Sequence, residues 1–104
     1  MAFEVIFADG GRSTYDHIVN YFLNELENPR VAMKWMGEVR EAQKRLEYSA
    51  DSYPICEEDF LEKRSLRKIR LRHYNYKVFY KIKGNKVYIE AILHDKQSPG
   101  KWLG

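Results

Sequence analysis

The sequence predicts an α+β fold: an N-terminal strand, a helix hairpin, then a three-stranded antiparallel meander, with the helices packed on one sheet face. Three observations carry this. Between residues 18 and 46 apolar side chains recur at three- and four-residue spacing, as in helices with one buried stripe. From residue 68 to 94 they alternate with polar ones at period two, as in half-buried strands. A chain of 104 residues has room for one domain with a modest core and no second one, so residues 1–104 are read as one unit.

Residues 3–8 alternate around Val5 and Phe7 and read as the first strand, ended by Asp9, Gly10 and Gly11. Ser13 is placed to cap the first helix, with Asp16 three residues on as a short-armed capping box. The stripe of that helix is Ile18, Phe22 and Leu26, flanked by Val19 and Leu23, and Asn28-Pro29 ends it. A second helix follows at once through Ala32, Trp35, Met36, Val39, Gln43 and Leu46, and runs out near Tyr48 into turn-rich residues 49–54. Helices joined this closely pack as a hairpin.

The meander is defined by its turns. Gly84-Asn85 is a two-residue hairpin loop with glycine first, suited to a type II′ turn. That register pairs Ile82 with Val87, Tyr80 with Ile89, Val78 with Ala91 and Tyr76 with Leu93. A preceding turn at Tyr74-Asn75 sets Leu71 opposite Val78 and Ile69 opposite Tyr80. Both turns put these apolar residues on one face, which the helix hairpin would cover.

Alternation then sends Lys68, Arg70, Arg72, Lys77, Phe79, Lys81 and Lys83 to the other face, with Lys86, Tyr88, Glu90, Ile92 and His94. Residues 63–89 contain ten basic residues and no acid, while the rest of the chain has eight basic against fifteen acidic. The net charge of +3 therefore conceals a strongly basic third. Arg72 with Lys77, Lys68 with Lys81, and Lys83 with Lys86 would be opposed across strands. Such pairs are destabilising, since cross-strand terms run about 0.2–1 kcal/mol. A face that tolerates them suits a phosphate-bearing partner. The plainer alternative is a solvated face, or one matched by Glu57, Glu58, Asp59 and Glu62 folding over it.

Composition excludes several classes. No apolar run reaches membrane-spanning length. Cys56 is the single cysteine, which fits a reducing cytoplasm. His17, His73 and His94 have no metal-ligand spacing, and there is no phosphate-binding glycine loop or nucleophile elbow. Neither a metal nor a cofactor is expected. Trp35 and Met36 read as core, and His17 and Cys56 as structural.

The string LRKIRLRHYNYKVFYKI (residues 66–82), followed by a hairpin, an apolar strand and LHDKQSPGKW (residues 93–102), resembles the centre of the RelE/ParE superfamily of toxins from type II toxin–antitoxin systems. The order of elements matches that fold over essentially the whole chain. The resemblance implies a cognate antitoxin as partner, with the neighbouring gene as its place. Of the two targets it offers, messenger RNA is the expected one and gyrase the alternative. RelE-like members cut messenger RNA on the ribosome without a metal, leaving 2′,3′-cyclic or 3′-phosphate ends. ParE-like members act on DNA gyrase and have an incomplete catalytic set. A non-toxic basic RNA-binding module is the third reading.

Carried over residue by residue, the nuclease set falls at Lys68, Arg70 and Lys77. Cations on a rigid face would hold the scissile phosphate and stabilise its growing charge. A lysine crowded by Arg70, Arg72 and Lys81 would also release its proton more readily and serve as base. Two positions depart from that pattern: Gln97 stands where a catalytic arginine is usual, and Leu103 where a tyrosine would stack on a base. His94, on the basic face at the end of the last strand, is the candidate acid. Arg67, Arg72, Lys81, Phe79, Tyr88 and Gln97 complete the expected RNA-contacting set, the aromatics by stacking. The tail from His94 through Pro99 to Trp102 is closer to the ParE-like branch.

Overall fold

Four strands make one sheet: β1 (Glu4–Phe7), β2 (Arg67–Arg70), β3 (Tyr76–Lys83) and β4 (Lys86–His94), in the order β1-β4-β3-β2. The computed structural model describes residues 2–58 and 62–103. β2, β3 and β4 form the expected antiparallel meander. β1 joins its far edge, parallel to β4, with Val5 beside Val87 and Phe7 beside Ile89. Helices α1 (Asp9–Asn20) and α2 (Pro29–Ser49) cover one face, as the predicted α+β class requires. A short α3 (Pro99–Leu103) adds an element that periodicity does not predict. Among the described residues, no helix is long and apolar enough to cross a membrane.

The first helix begins before its expected cap at Ser13. Asp9, Gly10 and Gly11 form its first turn, with Ala8 in the cap position. Proximity explains the glycines: a Cβ on Gly11 would lie 2.1 Å from the Ile89 carbonyl oxygen, and one on Gly10 2.7 Å from that of Glu90. Only glycine lets a helix start so close to a strand. The same turn completes the hydrogen bonding of β4 where β1 has ended. Ala8 N–H donates to the Ile89 carbonyl at 3.0 Å. The buried Thr14 hydroxyl accepts from Ile92 N–H at 2.9 Å and can donate back to the Gly10 or Gly11 carbonyl. α1 then widens into a π-helical turn over Tyr21–Glu25. Asn28 accepts from Val31 N–H, and Pro29 opens α2 rather than merely ending the helix before it.

The main core lies between these helices and the sheet, where Ile18, Phe22, Trp35, Val39 and Leu46 pack on Ile69, Leu71, Val78, Tyr80, Val87 and Ile89. Burying a Tyr requires a partner for its hydroxyl, and Tyr80 donates to the Ala50 carbonyl at 2.7 Å. Burial also pushes the Tyr80 phenol well above its ordinary value. Trp35 is fully buried and Met36 packs beside it, as their helical spacing predicts.

The expected register holds near the hairpin and fails beyond it. Ile82 pairs with Val87, Tyr80 with Ile89, and Lys83 with Lys86 around Gly84, whose φ is +64°. A bulge then interrupts the ladder between Tyr80 and Phe79, leaving Glu90 as the extra residue. Val78 consequently pairs with Ile92 rather than Ala91, and Tyr76 with His94 rather than Leu93. A one-residue slip exchanges faces, so Ile92 enters the main core while Ala91 and Leu93 cross to the other side. On β2 the error is different. Ile69 pairs with Val78 and Arg70 with Lys77, two residues from the expected register, because the connection is wider than a two-residue turn and is closed by Leu71 N–H donating to the Tyr76 carbonyl at 3.0 Å. A two-residue slip preserves faces, and Ile69 and Leu71 are buried as expected.

The outer face of the sheet is not open. Cys56, Leu66, Phe79, Ala91, Leu93 and Leu103 form a second buried cluster on it. The chain before β2 is tied there by Cys56 N–H donating to the Leu66 carbonyl at 2.8 Å and by a bridge between Ile55 and Arg67. α3 is tied there by Arg64, which donates to the Leu103 carbonyl.

Candidate functional site

Lys68 and Arg70 share the outer face of β2, and Lys77 stands beside Arg70 on β3, so three expected cations are brought together. They do not form the bare basic patch that alternation implied. Asp95, the first residue after β4, reaches over them. Arg70 grips its carboxylate with both terminal nitrogens, at 2.9 and 3.2 Å, and the Lys77 ammonium lies 3.7 Å away. This two-pronged hydrogen bond from Arg70, aided by the charge of Lys77, holds the Asp95 carboxyl below the usual carboxylate range despite some desolvation. The Asp95 backbone is fixed too, its N–H donating to the Asn75 carbonyl at 2.9 Å. The crowd of like charges expected around Lys77 is therefore broken by an acid.

A second acid does the same further along. Glu90, at the bulge, lies 3.1 Å from Arg64 and 4.0 Å from Lys81. Glu58 lines a small cavity of about 130 Å³ with Lys68, Lys77, Asp95 and Gln97. Asp59, one of the acids considered as a counter-charge, lies outside the described residues.

Several expected site residues are placed elsewhere. Phe79 is 2% exposed, at the centre of the second cluster, and cannot stack on a base. Arg67 faces the other way and donates to the Tyr53 and Asp51 carbonyls, pinning the preceding loop. Arg72, expected opposite Lys77, is in the β2–β3 connection and pairs with Glu41 of α2 at 3.0 Å. Tyr88 stays on the outer face beside Lys81, half-buried. Leu103 is a core residue of the second cluster.

His94 is turned by the bulge from the outer face toward the helices, its ring standing edge-on to Tyr76 at 5.0 Å. Its Nδ1 accepts from Lys96 N–H at 3.1 Å, a bond that selects the tautomer with the proton on Nε2. Gln97 folds back on the same residue: Oε1 accepts from His94 N–H at 2.7 Å, and Gln97 N–H donates to the His94 carbonyl at 2.9 Å. Its amide thus shapes a turn. The histidines that look scattered in sequence all line one open cleft of about 510 Å³, between α1 and the β2–β3 connection. Among the described residues no cluster of His, Cys, Asp or Glu could hold a metal ion. Burial raises the Cys56 thiol above its ordinary value, more than the nearby Lys68 lowers it, in keeping with a packing role.

Asp95 belongs to the site and is not among the residues that sequence reasoning singles out. The available signal is its position: an acid directly after a strand whose neighbours carry Arg70 and Lys77.

The result is a small sheet with a helix hairpin on one face and a cationic, acid-quenched surface on the other. The chain is similar in structure to a chain of the chromosomal ParDE toxin–antitoxin system from P. aeruginosa, with a TM-score of 0.71 and 18% identity over 89% of this chain and 96% of that one. The family model for the ParE toxin of the type II toxin–antitoxin system parDE matches residues 5–99, and the chain belongs to that family. No curated protein matches it.

Proposed function

We propose that this ParE-family toxin arrests growth by binding DNA gyrase as a protein inhibitor and does not cut messenger RNA. The observation that carries the reading is the engagement of Arg70 and Lys77 by Asp95. A ribonuclease of this fold needs those cations for the scissile phosphate, and a carboxylate there opposes the negative charge that a pentavalent phosphorus develops. Gln97 brings no charge, and His94, although it borders the cavity that Lys68 and Lys77 line, packs its ring on Tyr76 and has its Nδ1 taken by Lys96 N–H, which places it poorly to protonate a leaving 5′-oxygen. The membership in the ParE family and the His94-to-Trp102 tail support the same reading. The cognate antitoxin, encoded alongside, is the expected partner, and the cytoplasm the expected site of action.

A reconstituted supercoiling reaction tests it. Purified toxin should inhibit gyrase and accumulate gyrase-dependent DNA breaks, and expressed toxin should arrest growth with translated messages intact. Cuts in ribosome-bound messages leaving cyclic or 3′-phosphate ends, abolished by Arg70→Ala, would establish the nuclease instead. The juxtaposition of Lys68, Lys77 and Gln97 around one cavity is what favours that second reading.

A further inference from the structure

We propose that Asp95 is an internal stand-in for a phosphate, and that it closes to single-stranded nucleic acid a phosphodiester site formed by Arg70 and Lys77 with Lys68 beside them. The geometry matches a bound phosphate oxygen pair. Two terminal nitrogens of one guanidinium meet two carboxylate oxygens at 2.9 and 3.2 Å, the arrangement by which arginine also grips phosphate. The Lys77 ammonium adds a point charge at 3.7 Å. The carboxylate is positioned by the backbone rather than by a loose chain end, since Asp95 N–H is held by the Asn75 carbonyl. It follows β4 directly, so the sheet itself places it above these cations. An incoming phosphate must displace an anion that is already in place at no loss of translational freedom. Around it the face keeps the other requirements of a polyanion site. Lys68 lies in the same cavity, and Lys83 and Lys86 extend the cationic line at the hairpin.

The site is therefore latent, and one charge decides its specificity. Its latency does not depend on gyrase being the target. If gyrase proves unaffected while removal of Asp95 uncovers oligonucleotide binding, the proposed function falls and the latent site stands.

The test is fluorescence anisotropy of the full chain with a labelled single-stranded oligonucleotide, made as RNA and as DNA of one sequence. Asp95→Asn should bind at least about tenfold more tightly than the unaltered chain. Its log–log salt slope should steepen by about 0.7, the increment for the one phosphate newly neutralised on a single strand. Equal gains for RNA and DNA identify the phosphodiester as the recognised group, and a gain confined to RNA adds the 2′-hydroxyl. The double variant Arg70→Ala/Asp95→Asn should lose the gain. Asp16→Asn, which changes net charge equally on exposed α1, should not produce it. The proposal is overturned if Asp95→Asn binds no better than the unaltered chain, if Asp16→Asn matches it, or if the gain survives Arg70→Ala. Should the amide disturb the turn, Asp95→Ser removes the same charge. The unaltered chain supplies a second check: oligonucleotide binding that shifts the Arg70 and Lys77 NMR signals at physiological salt would mean that Asp95 excludes nothing.

Discussion

The two faces of the sheet are made by the same strands and meet opposite demands. On the helix side, every strand delivers apolar residues to one continuous core, where the Tyr80 hydroxyl is paired with the Ala50 carbonyl and Thr14 with Ile92 N–H, while the buried Trp35 indole N–H finds no partner among the described residues. On the outer side, a six-residue apolar cluster sits among cations, of which Arg64 and Lys81 are drawn toward Glu90, and Arg70 and Lys77 toward Asp95. The helix face is covered by long elements that come next to one another in sequence. The outer face is covered by the chain before β2 and by α3, which meet only after folding. Alternation in a strand therefore assigns a residue to a face, and says nothing about what will lie on it.

The outer cluster can be broken directly. Phe79→Ala should cost about 4 kcal/mol, as for a buried aromatic in a well-packed core. Urea unfolding will show it, and a loss under about 1 kcal/mol would mean that this face is open after all. Gly11→Ala attacks the helix face at its tightest point, where the new Cβ would meet the Ile89 carbonyl oxygen at 2.1 Å. A loss of about 3 kcal/mol is expected, the upper end of ordinary overpacking. Gly37→Ala is its counterpart in α2. Nothing lies within 4 Å of the added carbon, so stability should rise by about 0.5–1 kcal/mol.

Thr14→Val leaves the shape of the helix face intact but strands the Ile92 N–H. It should cost about 2 kcal/mol, with Thr14→Ser recovering most of it. The smallest effect is the acid limb of stability. Asp95 has a folded-state pKa below its unfolded value, so its contribution is complete above about pH 4, where the unfolded carboxyl ionises. It is lost as pH falls through the lower folded value. Thermal unfolding of Asp95→Asn should therefore decline less steeply below pH 4 than that of the unaltered chain. Identical acid limbs would show that the Arg70 contact contributes nothing to the folded state in solution.

Much of this was legible in the sequence. The helix hairpin, the Gly84-Asn85 turn and the buried side of β2, β3 and the first half of β4 follow from patterns that are local or two residues apart. The wide β2–β3 connection defeated the register and spared the face, because an even slip keeps side chains on the same side. That Lys68, Arg70 and Lys77 share a face was legible in the same way, since it needed only the alternation of two neighbouring strands.

Tertiary structure alone decided the bulge at Glu90. It falls where Gly10 and Gly11 bring α1 against the Ile89 and Glu90 carbonyls, a contact between segments nearly eighty residues apart, as Thr14 and Ile92 are. One extra residue there turned Ile92 and His94 toward the helices and gave Ala91 and Leu93 to the outer cluster. It also determined which residues follow β4 onto the outer face, and so brought Asp95 over Arg70 and Lys77. Periodicity fixes a side chain's direction only while the ladder is unbroken. Where a strand bends to admit a helix, the partner segment sets the phase, and with it the charge of the site.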